Sequence, residues 1–465
     1  MSQRVRGPTL LFNKIKDVEG RLLVGLWGGS FSNPLKRIAL ALGIDPKTSP
    51  EKVLLEIKRK LATPIRPIEV ATGPCKEVVK KGKDVDLTKL PFIVNSPYEG
   101  GRVLLMNTII TKDPESEWVN WANYGVMIVA KNRVAVTPGT STDFMAIYQK
   151  HLLKNEPMPV AIVFGGDPVV HLLSGLTLPR GVTEADVAGG IRGEPIELVR
   201  AETSDLLVPA YSEIVLEGEI IPGEQTLEGP KTEFFGYIAG PRGLAYSVRI
   251  HSVTYRKNPI NYTLSHTAES LGELECFGSL VCWNLGLTSL AHAFGVPVKA
   301  ITFTGVTQGP PPHTAIIAGE KYPGIRGQLF DLISPFSGMW GDLYAFYDED
   351  VSLFRPEMMI DARFTKCDPK RDMYFYEKKG GGSLLYRVYW EKEDMERECR
   401  ALHTNCVFMT QDARTKGNPP LGVKTARFET LIPEHIQKWV VENWSKFGFK
   451  EPAYWNKKWE EIKEL

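Results

Sequence analysis

Two stretches of helical periodicity open the chain. The run Asn33-Pro34-Leu35-Lys36-Arg37-Ile38-Ala39-Leu40-Ala41-Leu42-Gly43 predicts a short helix, with Asn33 suited to the N-cap, Pro34 to the first turn and Gly43 to the stop. A second helix is predicted over about Pro50 to Leu61, its apolar Val53, Leu54 and Ile57 on one side. Short strands are expected at Glu77–Val79 and at Leu90–Val94, separated by the turn-rich Lys81-Gly82-Lys83-Asp84. From about Leu104 to Tyr262 the pattern becomes mostly β, with few helices. Strands are predicted at Leu104–Thr111, Gly125–Ala130, Val134–Val136, Val160–Phe164, Ser212–Ile221 and Ala245–Tyr255. Gly165-Gly166-Asp167-Pro168 and Ile221-Pro222-Gly223-Glu224 read as turns between them, and a short helix is expected to start at Thr183 as cap with Glu184 in its first turn. Many short strands argue for a barrel or sandwich.

Helical character returns from about Glu269 to Phe294, a largely apolar segment able to connect two domains. The remainder reads as α/β, with a strand at Leu343–Tyr347 and a helix opened by Pro433 and running through Lys446. Trp455, Trp459 and Ile462 share one face of an amphipathic tail, which reads as a domain or subunit contact.

Composition narrows the class. A chain of 465 residues exceeds one ordinary core, so two or three domains are expected. The 56 Lys and Arg balance 55 Asp and Glu, which leaves no bulk field for nucleic acid or an anionic membrane surface. The opening Met-Ser-Gln-Arg leads into no apolar run suited to a signal peptide, and no window approaches a membrane span, so a cytoplasmic protein is expected. Cys75, Cys276, Cys282, Cys367, Cys399 and Cys406 include no CxxC pair and read as reduced thiols, against a zinc or iron–sulfur site.

The most informative chemistry lies in Glu228-Gly229-Pro230-Lys231-Thr232-Glu233, followed by apolar Phe234-Phe235-Gly236-Tyr237-Ile238. Positions five apart on a straight strand face opposite ways, but Gly229 and Pro230 forbid a straight strand, and a bend can bring both acids into one cavity. Close carboxylates in an apolar pocket do not both ionise readily, which gives a proton donor and acceptor together. A solvent-facing loop with two ordinary acids is the competing reading of this hexapeptide alone. Elsewhere, Gly380-Gly381-Gly382-Ser383 lacks P-loop spacing and reads as a mobile loop, while His171 and His266 read first as hydrogen-bonded structural residues.

Read in order, these segments resemble the UbiD family of prenylated-FMN-dependent (de)carboxylases, over about Leu10 to Phe447. The resemblance is carried by Leu35–Gly43, Pro74-Cys75-Lys76-Glu77-Val78-Val79, and Asp84-Val85-Asp86-Leu87-Thr88-Lys89-Leu90-Pro91. It continues in Val208-Pro209-Ala210-Tyr211-Ser212-Glu213-Ile214-Val215-Leu216-Glu217-Gly218, in Glu228-Gly229-Pro230 with Gly236-Tyr237, and in Asp350-Val351 with Cys367-Asp368-Pro369-Lys370-Arg371-Asp372. It implies an α+β fold: an N-terminal α/β region (1–100), a central split β-barrel holding the cofactor (101–265), a long linking helix (266–295) and a C-terminal α/β oligomerisation domain with a helical tail (296–465).

The resemblance also implies a site. Asn120 and Glu184 match two of the family's three ligands for a divalent metal and the cofactor phosphate, which would be Mn2+ or Mg2+, with K+ a further candidate. The family His has no counterpart in Val134–Asp143, where Thr137, Thr140 or Ser141 could supply an oxygen instead. Glu228 and Glu233 match the two catalytic acids, whereas the family Arg falls on Gly125, so a divergent branch is implied. Loss of that cation should raise a nearby carboxylate's pKa and open space beside the cofactor. Ser174 matches a cofactor-lining serine, and Lys321 and Arg326 lie where a phosphate-contacting lysine is placed.

The implied function is reversible (de)carboxylation of an aromatic or conjugated acid through a covalent adduct with prenylated FMN, Glu233 donating the proton and Glu228 positioning the cofactor. A flavin prenyltransferase would supply the cofactor, CO2 would be product or substrate, and a homodimer or homohexamer is expected. The alternative is a non-catalytic or partner-dependent subunit of a multi-subunit, phenylphosphate-carboxylase-like enzyme.

Overall fold

The computed structural model describes residues 8–27, 35–139, 142–176, 178–232, 238–239, 243–263, 281, 284–304, 313–318, 322, 324–337, 343–353, 355–379, 405–414 and 432–448. Strands β1 (Leu10–Phe12) and β2 (Arg21–Val24) precede helices α1 (Lys36–Ala41) and α2 (Pro50–Leu61). Helix α2 forms as its pattern predicts: Ser49 caps it by accepting the Lys52 N–H, Pro50 opens it, and Val53, Leu54 and Ile57 are buried. Helix α1 is shorter than expected; Asn33 lies outside the described residues, while Gly43 follows the helix with φ +69°.

A nine-stranded sheet forms the centre. Its strands are β4 (Val78–Lys81), β5 (Val103–Leu104), β6 (Asn107–Lys112), β7 (Val119–Ala122), β8 (Val126–Ala130), β9 (Arg133–Val136), β10 (Met158–Phe164), β13 (Ile214–Glu228) and β16 (Gly243–Tyr255). They pair antiparallel in the order β5-β8-β9-β16-β13-β10-β6-β7, with β4 joining β16. Among the described residues no hydrogen-bonded ladder closes this path. Its two ends are nevertheless neighbours in sequence, because residues 123–125 alone lead from β7 to β8. Three residues cannot cross a flat sheet of this width at about 4.8 Å per strand, so the sheet must curl its edges together. In place of the expected split barrel, the described residues form an open nine-stranded sheet within a mixed α/β fold.

Both faces of that sheet are covered. In β10, Val160, Ile162 and Phe164 enter one core while Ala161 and Val163 enter the other. That is why Val160–Phe164 is a continuous apolar run rather than an alternating one. The first core includes Phe144, Ile147 and Tyr148 of helix α3 (Asp143–Lys154). The second includes residues from α1, α2, α4 (Pro168–Ser174) and α5 (Glu184–Arg192). The central region is therefore richer in helix than its pattern suggested. Asp167-Pro168, read as a turn, instead starts α4, with Asp167 Oδ1 accepting the Val169 N–H at 3.0 Å.

Two predicted strands need correction. Leu90–Val94 forms no strand. Pro91 has no N–H to pair, its carbonyl accepts the Asn261 side-chain amide at 3.0 Å, and Phe92 is buried in the core. The stretch Leu104–Thr111 is broken in two by Met106 at φ +57°, and Asn107 Nδ2 bridges the break to Leu104 O at 3.2 Å.

The C-terminal unit is a five-stranded mixed sheet of β18 (Val298–Thr304), β19 (His313–Ala318), β20 (Leu343–Tyr347), β21 (Met373–Lys379) and β22 (Asn405–Asp412), ordered β18-β19-β20-β22-β21. Tyr344 and Phe346 of β20 pack on one face with Leu329, Phe330 and Ile333, while Ala345 and Tyr347 pack on the other with Met359 and Ala362. Of the linking helix, Asn284–Ala293 is described; the earlier part of that prediction and the tail with Trp455, Trp459 and Ile462 lie outside the described residues. Among the described residues no helix is long and apolar enough to cross a membrane.

Candidate active site around Glu228

Glu228 is the last residue of β13, paired in register with Gly243. Gly229 follows at φ +89°, a conformation open to glycine, and the Gly229–Pro230 bond is cis. The chain leaves the sheet here and resumes in the short strand β14 (Lys231–Thr232). The kink expected from Gly229-Pro230 is present.

The loop 95–101 seats this kink. Gly100 N–H donates to Pro230 O at 2.8 Å, and Thr232 Oγ1 donates to Glu99 Oε1 at 2.5 Å. The other Glu99 oxygen accepts the Asn95 N–H at 2.8 Å. A Cβ on Gly100 would stand 2.2 Å from Gly229 O, so the approach requires glycine.

Glu228 is 8% exposed. Its Oε1 accepts from Thr137 Oγ1 at 2.5 Å and from Lys231 Nζ at 2.9 Å, while among the described residues its buried Oε2 has no hydrogen-bond partner. The Lys231 side chain is itself 19% exposed. Its nitrogen is the nearest heavy atom to the place where a Cβ on Gly125 would stand, 3.6 Å away. Gly125 therefore does not leave Glu228 without a cation, as its comparison with the family pattern implied; Lys231 brings one from β14. No motif marks Lys231 in the sequence, and its signal is its position three residues after Glu228. Glu233 lies outside the described residues.

A second cluster forms around α5. Thr183 occupies the N-cap position but makes no side-chain capping bond. Glu184, the first helical residue, is 4% exposed and its Oε2 accepts the Trp121 N–H at 2.9 Å. Burial pushes the Glu184 carboxyl up to about 8, with a smaller contribution from nearby Asp143 and partial opposition from backbone hydrogen bonds. Asn120, beside Trp121 in β7, is also 4% exposed, and its buried Nδ2 has no partner among the described residues. An unpaired amide donor suits a phosphate oxygen, and a carboxyl kept neutral by burial would be favoured in its charged form by a hard cation. These two residues fit the phosphate and metal roles. Among the described residues, no group of three His, Cys, Asp or Glu gathers for a metal.

The two clusters are close along the chain. Asn120 and Gly125 are five residues apart, which limits their Cα separation to about 18 Å even if fully extended. The Asn107 amide fixes the connecting segment by donating to Tyr124 O at 2.7 Å.

Other candidates divide. Ser174 is 6% exposed, and its hydroxyl is engaged with His171 O at 2.9 Å in its own helix. Thr137, considered as a metal oxygen, is committed to Glu228, and Thr140 and Ser141 lie outside the described residues. Arg326 lies in the helix Ile325–Ser337 with its guanidinium 3.2 Å from the Tyr374 ring centroid and its Nε buried without a partner. Lys321, His266 and Gly380–Ser383 are outside the described residues. His171 is structural: its ring nitrogens meet Thr108 Oγ1 and Gly165 O, each at 3.1 Å, and burial lowers its pKa to about 4. Cys75 and Cys367 are free thiols, and burial pushes Cys75 up to about 11.

A curled antiparallel sheet carrying an acid at a strand end and a buried Asn–Glu pair beside its seam places the chain in a recognisable class. Residues 66–268 match the family model described as UbiD, 3-octaprenyl-4-hydroxybenzoate carboxy-lyase Rift-related domain. The chain is similar to the pyrrole-2-carboxylic acid decarboxylase of Pseudomonas aeruginosa, with 27% identity over 96% of this chain and 90% of that enzyme. It is also similar to the closed form of Sedimentibacter hydroxybenzoicus vanillic acid decarboxylase, with TM-score 0.75 and 25% identity over 95% of this chain and 90% of that one. An evolved dimeric form of the UbiD-class enzyme HmfF from Pelotomaculum thermopropionicum, in complex with prFMN, shares the fold with TM-score 0.72 and 23% identity over 92% of this chain and 90% of that one.

Proposed function

We propose that this protein is a carboxy-lyase that removes, or in reverse adds, CO2 on an aromatic or conjugated acid with the aid of prenylated FMN. The observation that carries this reading is that two chemically distinct clusters meet the chain within five residues of each other, at Asn120 and Gly125, where β7 leads into β8. One is the Glu228–Lys231–Thr137 cluster; the other is the buried, ligand-deficient Asn120–Glu184 pair. The UbiD family-model match over residues 66–268 and the similarity to decarboxylases named for aromatic acids support it.

When bound, prenylated FMN would supply an electron sink for the carbon that loses CO2. Asn120 would hold its phosphate, and Glu184 a divalent cation beside that phosphate. Ser174, Lys321 and Arg326 are further contacts that the family pattern suggests. Thr137 and Lys231 fix the Glu228 carboxylate by two hydrogen bonds to one oxygen, leaving Oε2 to receive a donor from cofactor or substrate. Glu233, beyond the kink, delivers a proton to the carbon from which CO2 departs. A site of this kind gains most of its effect from orientation and charge placement.

The test is purification after co-expression with a flavin prenyltransferase, followed by incubation with a panel of aromatic acids. A flavin-like absorbance, a released mass matching prenylated FMN, and CO2 release from a panel member are expected. A protein that stays colourless and releases no CO2 would remove this reading.

A further inference from the structure

Resting on the proposed function, we infer that Lys231 is the carboxylate-binding cation of this site, entering from β14 through space that Gly125 leaves open. Lys231 Nζ donates to Glu228 Oε1 at 2.9 Å and stands 3.6 Å from the position of a Cβ on residue 125. Among the described residues Glu228 is its one hydrogen-bond partner. An ammonium has three donors, so two N–H bonds are left for a second acceptor.

The surroundings make that acceptor an anion. The Lys231 and Glu228 side chains are 19% and 9% exposed, so solvent reaches the pair only in part. Thr137 Oγ1 and Lys231 Nζ converge on Oε1, and among the described residues Oε2 has no hydrogen-bond partner. A substrate carboxylate would satisfy the ammonium's remaining donors beside Glu228. The backbone permits this arrangement because residue 125 has no side chain. A Cβ at residue 125 would already be in van der Waals contact with the ammonium at 3.6 Å, so a side chain larger than a methyl would compete with it for space. The Gly125–Lys231 pair thus works as one unit, the glycine admitting a cation from another strand.

The probe is benzoate, with benzamide as its uncharged counterpart and FMN as the reporter of cofactor binding. Affinities are measured calorimetrically for benzoate and benzamide on the FMN-loaded protein, and by flavin fluorescence for FMN. Lys231→Met should weaken benzoate binding about tenfold or more, leave benzamide and FMN unchanged, and be rescued by Lys231→Arg. Gly125→Leu, which fills the same space without removing the lysine, should show the same loss and covers the case in which Lys231→Met does not fold. Unchanged benzoate affinity in either folded variant, or a wild-type protein that binds FMN but not benzoate, overturns the inference while the proposed function stands. A wild-type protein that binds no FMN overturns both.

Discussion

Glu184 accepts the backbone N–H of Trp121 over 2.9 Å, so the first turn of α5 is tied to the strand that carries Asn120. The bond holds a buried carboxyl against the sheet with no ion-pair partner among the described residues, and burial pushes its pKa up to about 8. A divalent ion would reverse that shift. FMN with Mn2+ should therefore raise the melting temperature of the wild-type protein, with a stabilisation of about 2.7 kcal/mol at a hundredfold excess over Kd. In Glu184→Gln the Mn2+-dependent part of that rise should disappear, as read by differential scanning fluorimetry with and without the metal.

His171 should make the protein acid-sensitive. Its folded pKa lies near 4 against an ordinary 6.5, so between those values the unfolded chain holds the extra proton. The stabilisation is complete above pH 6.5 and is lost as pH falls towards 4. Its size is at most about 3 kcal/mol for a shift of this extent. Urea unfolding across this range should show the slope in wild type and a flatter one in His171→Asn.

Thr137→Val removes one of the two donors on Glu228 Oε1 while keeping the side-chain shape. A hydrogen bond to a charged group contributes about 1.5–3 kcal/mol, so CO2 release should slow by roughly tenfold or more. Thr137→Ser should keep most of the rate. Equal rates in Val and Ser variants would show that the hydroxyl does not matter.

Gly100→Ala tests the seat of the kink. Its Cβ would press on Gly229 O, and overpacking of this kind costs about 1–3 kcal/mol. Both urea stability and activity should fall. Full activity at unchanged stability would mean that the loop yields freely.

Glu233→Gln should abolish substrate-dependent H/D exchange at the reactive carbon, followed by NMR. Exchange at the wild-type rate in that variant would take the proton-donor role away from Glu233.

Local pattern revealed much of this fold where the local pattern alone decides. Helix α2 has its cap, its opening proline and a single apolar face, and it forms between the expected residues. Helix α3 carries comparable signals in Thr142, Phe144, Ile147, Tyr148 and His151, spaced as one helical face within a region otherwise patterned as strands. Leu90–Val94 has strand-like residues, but the partner of Pro91 O is Asn261, far along the chain, and such a contact leaves no local trace. The site divides in the same way. Glu228 and the kink at Gly229 follow from residue types in sequence. Lys231 and Gly125 are about a hundred residues apart, and their proximity is visible only once the chain is folded.

The clasp of Asn107 on the Tyr124 carbonyl has an evolutionary consequence. Because a neighbour secures the main chain there, residue 125 is excused from any scaffolding duty. Its side chain can be exchanged without losing the bond that holds the neighbouring main chain, so this position is open to variation on an unchanged sheet.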